Sequence, residues 1–289
     1  MTIWNLGSIN IDHVYRLDHL VQPGETIAAH SFAQGLGGKG ANQSVAAARA
    51  GAAVRHIGAT GTGDDWVIHQ LQGAGIDTTH IARLPDHATG HAIIQLDAAG
   101  ENAIIIHPGA NRALSLPQAV VDAMRAGDTL LIQNETNLQA ETAAIARDKG
   151  LRVIYSAAPF DVDAVRKMLG LTTILAMNAG EAKAVFAALG QDLPVEGMLV
   201  TRGADGADYR NLRSGTITHC PAFPVRPVDT TGAGDCFAGW FAAGLDAGHD
   251  IAAALRRASA AAAIQVTRPG ASDAMPDTAQ VDRFLKDQP

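Results

Sequence analysis

Three short stretches hold the residues whose types and spacing could do chemistry: GGKGANQ at 37–43, NAGE at 178–181 and DTTGAGD at 229–235. In the last, Gly232, Ala233 and Gly234 carry no bulky side chains, so backbone amides can face a ligand where a helix begins near Asp235. The start of a helix presents unpaired N–H groups and partial positive charge, which suits an anion. An acid in the first turn is also an ordinary stabilising device, worth about 0.3–1 kcal/mol. Beside an anion cradle Asp235 has a second use. It can accept the proton of a hydroxyl that attacks a bound phosphoryl group.

The first stretch formally contains a dinucleotide fingerprint, with Gly35, Gly37 and Gly40 in G-x-G-x-x-G. That motif needs a buried strand before it and an acid about 20 residues after it. Here the lead-in SFAQ is a weak strand, and the first acid beyond the glycines is Asp64. A phosphate-binding P-loop fails as well, because Gly40 follows Lys39 where Ser or Thr is required. What remains is a glycine-rich turn that carries Lys39 and Asn42 into a helix, with several donors for a small polar ligand; the plainer alternative is a tight strand-to-helix turn. NAGE places Asn178 at a strand end and Glu181 at a helix start, either to orient a hydrated Mg²⁺ or to cap the helix.

Composition narrows the classes. Of 289 residues 47% are hydrophobic and 18% charged, the balance of a globular chain rather than a disordered one. The net charge of −7 argues against a nucleic-acid or anionic-membrane surface. No apolar run reaches the roughly 18 residues of a membrane span, and the N-terminal segment lacks a basic leader, so the cytoplasm is expected. Cys220 and Cys236 form no metal-type pair, and His87 and His91 are interrupted by Gly90; both sets are expected to be packing or surface residues.

The elements that must position these residues follow from periodicity. Strands are expected at 3–9, 53–60, 128–135, 151–158, 172–178 and 197–203, alternating with helices such as 42–52 and 64–73. That alternation predicts an α/β fold: a doubly wound, mainly parallel sheet with helices on both faces. Two segments break the rhythm. HAIIQLD and AIIIH, joined through Gly100, read as a hairpin, and 12–20 with 25–33 read as a second strand pair. Together they predict a small β appendage built from two insertions, near 12–34 and 88–108, on a single domain spanning 1–289. Ligands of open α/β sheets bind beyond the carboxyl ends of strands, which marks Glu135, Asn178 and Thr201 as candidates by position.

GSINID (7–12), GGKGANQ, NAGE, VTRGADG (200–206) and DTTGAGD, in this order, resemble the ribokinase-like carbohydrate kinases from about Leu6 to Gly270. The resemblance implies a β-sheet lid over the α/β domain, phosphorylation of a sugar hydroxyl by ATP with Mg²⁺, and a homodimer joined through the lids. It assigns Asp235 as catalytic base and the amides around Gly232, Ala233 and Gly234 as the anion hole. Asn10, Asp12, Gly38, Lys39, Asn42 and Glu135 match the family's sugar contacts. Thr201, Gly203, Gly206 and Ser259 match its nucleotide side, and Asn178 with Glu181 its Mg²⁺-linked motif. Asp229, Thr231, Gln265, Arg268 and Gly270 match a monovalent-cation shell, the last four through carbonyl oxygens, which makes K⁺ an expected activator. Ala274 stands where the family usually has a serine completing that shell, leaving Ser272 or water to substitute. The expected substrate is D-ribose; another sugar or a nucleoside is the alternative, the latter disfavoured by an aromatic content of 4%.

Overall fold

The computed structural model describes residues 1–288; Pro289, the last residue of the expected domain, lies outside them. The chain begins β1 (Thr2–Leu6), β2 (Asn10–Arg16), β3 (Ser31–Gly37), α1 (Lys39–Arg49), β4 (Ala53–Thr60), α2 (Asp65–Gly73), β5 (Ile81–Arg83), β6 (Gly90–Leu96) and β7 (Asn102–His107). It continues α3 (Gln118–Ala123), β8 (Thr129–Gln133), α4 (Gln139–Asp148), β9 (Arg152–Ser156), α5 (Val162–Met168), β10 (Ile174–Asn178) and α6 (Ala179–Leu189). The last part is β11 (Gly197–Thr201), β12 (Ala207–Asn211), β13 (Ile217–Cys220), α7 (Ala233–Asp246), α8 (Ile251–Gln265) and α9 (Thr278–Lys286).

Nine strands form one sheet in the order β13-β12-β11-β10-β9-β8-β1-β4-β5, parallel except near one end, where β12 pairs antiparallel with both β11 and β13. The doubly wound, mainly parallel architecture expected from the alternation is therefore present. Side chains alternate across it because successive residues of a strand face opposite ways. On β1, Ile3 joins the core beneath α1, α7 and α8, while Trp4 and Leu6 join the core on the opposite face with Tyr155. Asn5 falls on the Ile3 side and is fully buried, a polar residue whose bonds must be found inside the protein.

The four remaining strands form a separate sheet, β3-β2-β6-β7. The hairpin of β6 and β7 is antiparallel, as expected. The other pair differs. Residues 25–30 are not strand, and β3 begins at Ser31 and runs on through Gly35 and Gly37, which pair with Asp12 and Asn10. The physical reason lies in Asp12: a Cβ on Gly37, which pairs with Asn10, would stand 2.1 Å from the Asp12 carboxylate leaning across, so the strand needs a glycine diagonal to the acid. The glycine-rich turn thus shrinks to Gly38, and α1 starts at Lys39 rather than 42. The same topology removes the dinucleotide reading, because the strand before the glycines belongs to the small antiparallel-edged sheet and not to the parallel one.

Candidate active site

Asp235 lies in the first turn of α7, whose N-cap, Gly232, adopts the left-handed conformation at φ 75°. It is nearly buried, and both carboxylate oxygens accept side-chain amide donors from α1: Asn42 Nδ2 at 3.2 Å and Gln43 Nε2 at 3.0 Å. Lys39, Asn42 and Gln43 stand at i, i+3 and i+4, one face of the helix. The ammonium of Lys39 lies in the field of three acids; Asp235 raises its pKa most, burial opposes, and Glu135 and Glu181 add to the rise. The first-turn amides of Gly234 and Asp235 have no backbone partner among the described residues, whereas that of Ala233 already donates to Thr230 O at 3.2 Å. The cradle therefore rests on two free amides more than on that of Ala233.

These groups open on a cavity of about 300 Å³ at the carboxyl ends of the parallel strands. Lys39, Gly232, Ala233, Gly234 and Asp235 line one end of it, and Asn178, Glu181 and Thr201 line the other. Gly203 and Gly206 lie in the turn after β11, and Ser259 on α8 donates to Pro221 O at 3.3 Å; all three stand outside this lining. Asn178 and Glu181 form a reciprocal cap: Asn178 N donates to Glu181 Oε2 at 2.8 Å and Glu181 N to Asn178 Oδ1 at 2.9 Å. Capping occupies only one oxygen of Glu181; the other has no hydrogen-bond partner among the described residues and Glu181 lines the cavity, a lone carboxylate of the kind that holds a hydrated Mg²⁺.

The second group of expected contacts lies beyond Lys39. Glu135, just after β8, accepts from Lys39 N at 3.0 Å and from the hydroxyl of Ser8. Asp12 points from β2 into the same region: burial first, and then the charge of Glu135, push its pKa up to about 6. Asn10 is fixed by Asn111, whose Nδ2 donates to Asn10 Oδ1 at 2.8 Å and whose Oδ1 accepts from Ile9 N at 2.9 Å. Asn42 keeps a buried Oδ1 with no partner. Acceptors on Asp12 and Glu135 and donors on Lys39 and Asn42 therefore converge from β2, α1 and the end of β8.

Sequence reasoning missed the layer behind these residues. Gln133 Nε2 donates to Gln43 Oε1 at 2.8 Å and to Asn5 Oδ1 at 3.0 Å. Asn5 Nδ2 donates in turn to Ser44 Oγ at 2.8 Å, and Ser44 lies 2.8 Å from Nδ1 of His56. Because the Gly7 carbonyl can only accept, His56 Nε2 donates to it at 3.1 Å, and in the neutral ring Nδ1 then accepts from the Ser44 hydroxyl. Burial pushes His56 down to about 4, consistent with this neutral tautomer. The available signals were Gln133 closing the apolar run TLLI, and Gln43 sharing the Lys39 face of α1.

The expected monovalent-cation residues are brought together, and they hydrogen-bond to one another. Asp229 accepts from Thr231 N and Gly270 N, both at 2.9 Å. Burial raises its pKa, yet these donors outweigh burial and hold it below the usual carboxylate range. The carbonyls of Thr231 and Gly270 are both taken by the side chain of Gln265, and the Arg268 guanidinium turns to Ala274 O at 3.3 Å.

A model of pfkB family carbohydrate kinases matches residues 2–278. The chain belongs to that family. It is similar to the ribokinase of Haemophilus influenzae, 36% identical with 99% of this chain and 98% of the relative covered. It is also similar to the deoxyribokinase of Salmonella typhi, at 32% identity and 99% coverage of both chains. Among solved structures, Arabidopsis thaliana ribokinase complexed with ribose and ATP superposes with a TM-score of 0.91 at 28% identity, covering 99% of this chain and 98% of that one. The resemblance carried by the five motifs thus holds for the whole kinase: it is a sugar kinase, a phosphotransferase of the pfkB family, with the ribokinase-like fold.

Proposed function

We propose that this pfkB kinase transfers the γ-phosphoryl group of ATP to the primary hydroxyl, O5, of D-ribose. The observation that carries the reading is the placement of Asp235: a carboxylate held on both oxygens by α1, beside its own free amide and that of Gly234, in a cavity shared with Lys39. The sugar lies among Asn10, Asp12, Gly38, Lys39, Asn42 and Glu135, where acidic groups accept from its hydroxyls and the amides and ammonium donate. Asp235 takes the O5 proton as oxygen attacks phosphorus. The amides of Gly234 and Asp235, with Lys39, receive the charge that develops on the phosphoryl oxygens. The nucleotide extends toward Asn178, Thr201 and the turn holding Gly203 and Gly206, with Ser259 on the adenine side. A hydrated Mg²⁺ held through Glu181 supplies charge neutralisation of the phosphates. The four-stranded sheet acts as a lid that excludes water, and two lids join a homodimer.

Asp235→Asn tests the base directly. Turnover with ribose, ATP and Mg²⁺ is expected to fall by about 10²–10⁴-fold while calorimetric ribose binding persists; near wild-type turnover would remove Asp235 from the chemistry. The Salmonella typhi relative favours 2-deoxyribose as a second reading. A panel of ribose, 2-deoxyribose, fructose and nucleosides with ADP formation as readout separates them, and preference for a nucleoside would overturn the sugar assignment.

A further inference from the structure

The cluster at Asp229, Thr231, Gln265, Arg268 and Gly270 joins the loop before α7 to the end of α8 and the turn beyond it. In a cation shell, main-chain carbonyls converge on an ion that balances their dipoles. Here the carbonyls converge on a side chain. Gln265 Nε2 donates to Thr231 O at 2.7 Å and to Gly270 O at 3.2 Å, so one nitrogen serves both carbonyls that a shared ion would bridge. The carbonyl of Gln265 itself accepts from Arg268 N at 3.0 Å in the last turn of the helix.

We propose that the side-chain amide of Gln265 takes the place of a monovalent cation in this kinase, which therefore works without one. A terminal amide carries two N–H donors and partial positive charge, enough to satisfy two carbonyl dipoles. Unlike an ion it is tethered and present at every salt concentration. Gln265 is 0% exposed at the C-terminal end of α8, so withdrawing the amide would carry a polar group through packed core. Its Oε1 is buried without a hydrogen-bond partner among the described residues. Leaving that acceptor unmet is unfavourable, and only the two bonds made by the nitrogen offset it; a mere space-filler at this position would be apolar.

A second observation points the same way. The position that would complete a shell with a hydroxyl is Ala274, and the nearby Ser272 spends its hydroxyl on Leu36 O at 3.3 Å. The hydroxyl that stands nearest to the missing one is thus oriented toward Leu36. The function of the amide follows from its neighbours. Thr231 immediately precedes Gly232, the N-cap of α7, so Gln265 holds the strap that aims the free amides of Gly234 and Asp235. It is a positioning residue, acting through the anion cradle.

The kinetic half of the test rests on the kinase reading above; the thermal half does not. Wild-type protein is melted, and assayed with ribose, ATP and Mg²⁺, in KCl and in tetramethylammonium chloride at equal ionic strength. Equal melting temperatures and kcat/KM within about twofold are expected. A melting temperature raised by K⁺ alone, or activation by K⁺ of tenfold or more, overturns the proposal. Gln265→Ala opens the place between the two carbonyls: kcat is expected to drop about tenfold or more in tetramethylammonium, and K⁺ to restore part of it while raising the melting temperature. An active Gln265→Ala indifferent to both salts also refutes the role. Should that variant not fold, Gln265→Met keeps the chain length without the donors, and the wild-type comparison stands by itself. Failure to phosphorylate any sugar in either salt refutes the kinase reading, while the melting curves still judge the ion.

Discussion

Asp12 is the residue whose environment most directly forecasts behaviour. Burial and Glu135 raise its pKa to about 6, so the folded protein takes up a proton there before the unfolded chain would. Its contribution to stability is accordingly present below the unfolded value of 3.8 and is lost as pH rises through about 6. Asp12→Asn is expected to stabilise the protein at pH 8, by on the order of 2 kcal/mol, measured by urea unfolding. In activity the sign reverses: the carboxylate proposed as a sugar acceptor is protonated below about 6, so KM for ribose should rise as pH falls through that value. A KM flat from pH 5 to 8 would separate Asp12 from the sugar. Of the site residues, those inside short contiguous motifs were legible in the sequence. Gln43 and Ser8 were in the same motifs but gained their roles only from Asp235 and Glu135, 192 and 127 residues away. Gln133 was marked locally only by closing an apolar run, and nothing local could reveal Asn111 or the amide of Gln265, because their partners are supplied by the tertiary fold.

At the level of elements, α1 and α7 are the pair that matters, since one carries Asn42 and Gln43 and the other Asp235. They cross closely at Gly239, where a Cβ would stand 2.5 Å from Ala46 Cβ and 2.6 Å from Gln43 O. Gly239→Ala must therefore push the helices apart at the very residue that holds the base. Expected are a lower melting temperature, by a few degrees for about 1–2 kcal/mol, and a kcat reduced about tenfold or more with the KM for ATP little changed. Unaltered kcat in a destabilised variant would show that the helix spacing is structural only. Periodicity located α1, though three residues late, and most of the parallel strands, β4 to the residue, but not the short β5. It misplaced β3, because strand pairing with β2 and the room needed by Asp12 decide that segment, and glycine runs carry no period of their own.

Across the whole molecule, the four-stranded sheet leaves an apolar surface uncovered. Strand pairing puts Phe32, Tyr15, His13, Ile93 and Ile105 on the face opposite Asp12, where Phe32 is 54% and Ile105 61% exposed. Rings stack along it, Tyr15 on Phe32 at 5.0 Å and His91 beside His107 at 5.0 Å. A surface of this kind suits association with a second copy. Sedimentation of the wild-type chain is expected to give a dimer, and of Phe32→Arg/Ile105→Arg a monomer; a wild-type monomer at micromolar concentration would dismiss the lid as an interface. β2 lies at the heart of this arrangement, bearing Asn10 and Asp12 while bonded to β3 on one edge and β6 on the other. On the proposed sugar site, holding the carbohydrate and carrying the cover fall to a single ribbon. Anyone who redesigns the kinase for a different sugar will retune its door at the same stroke.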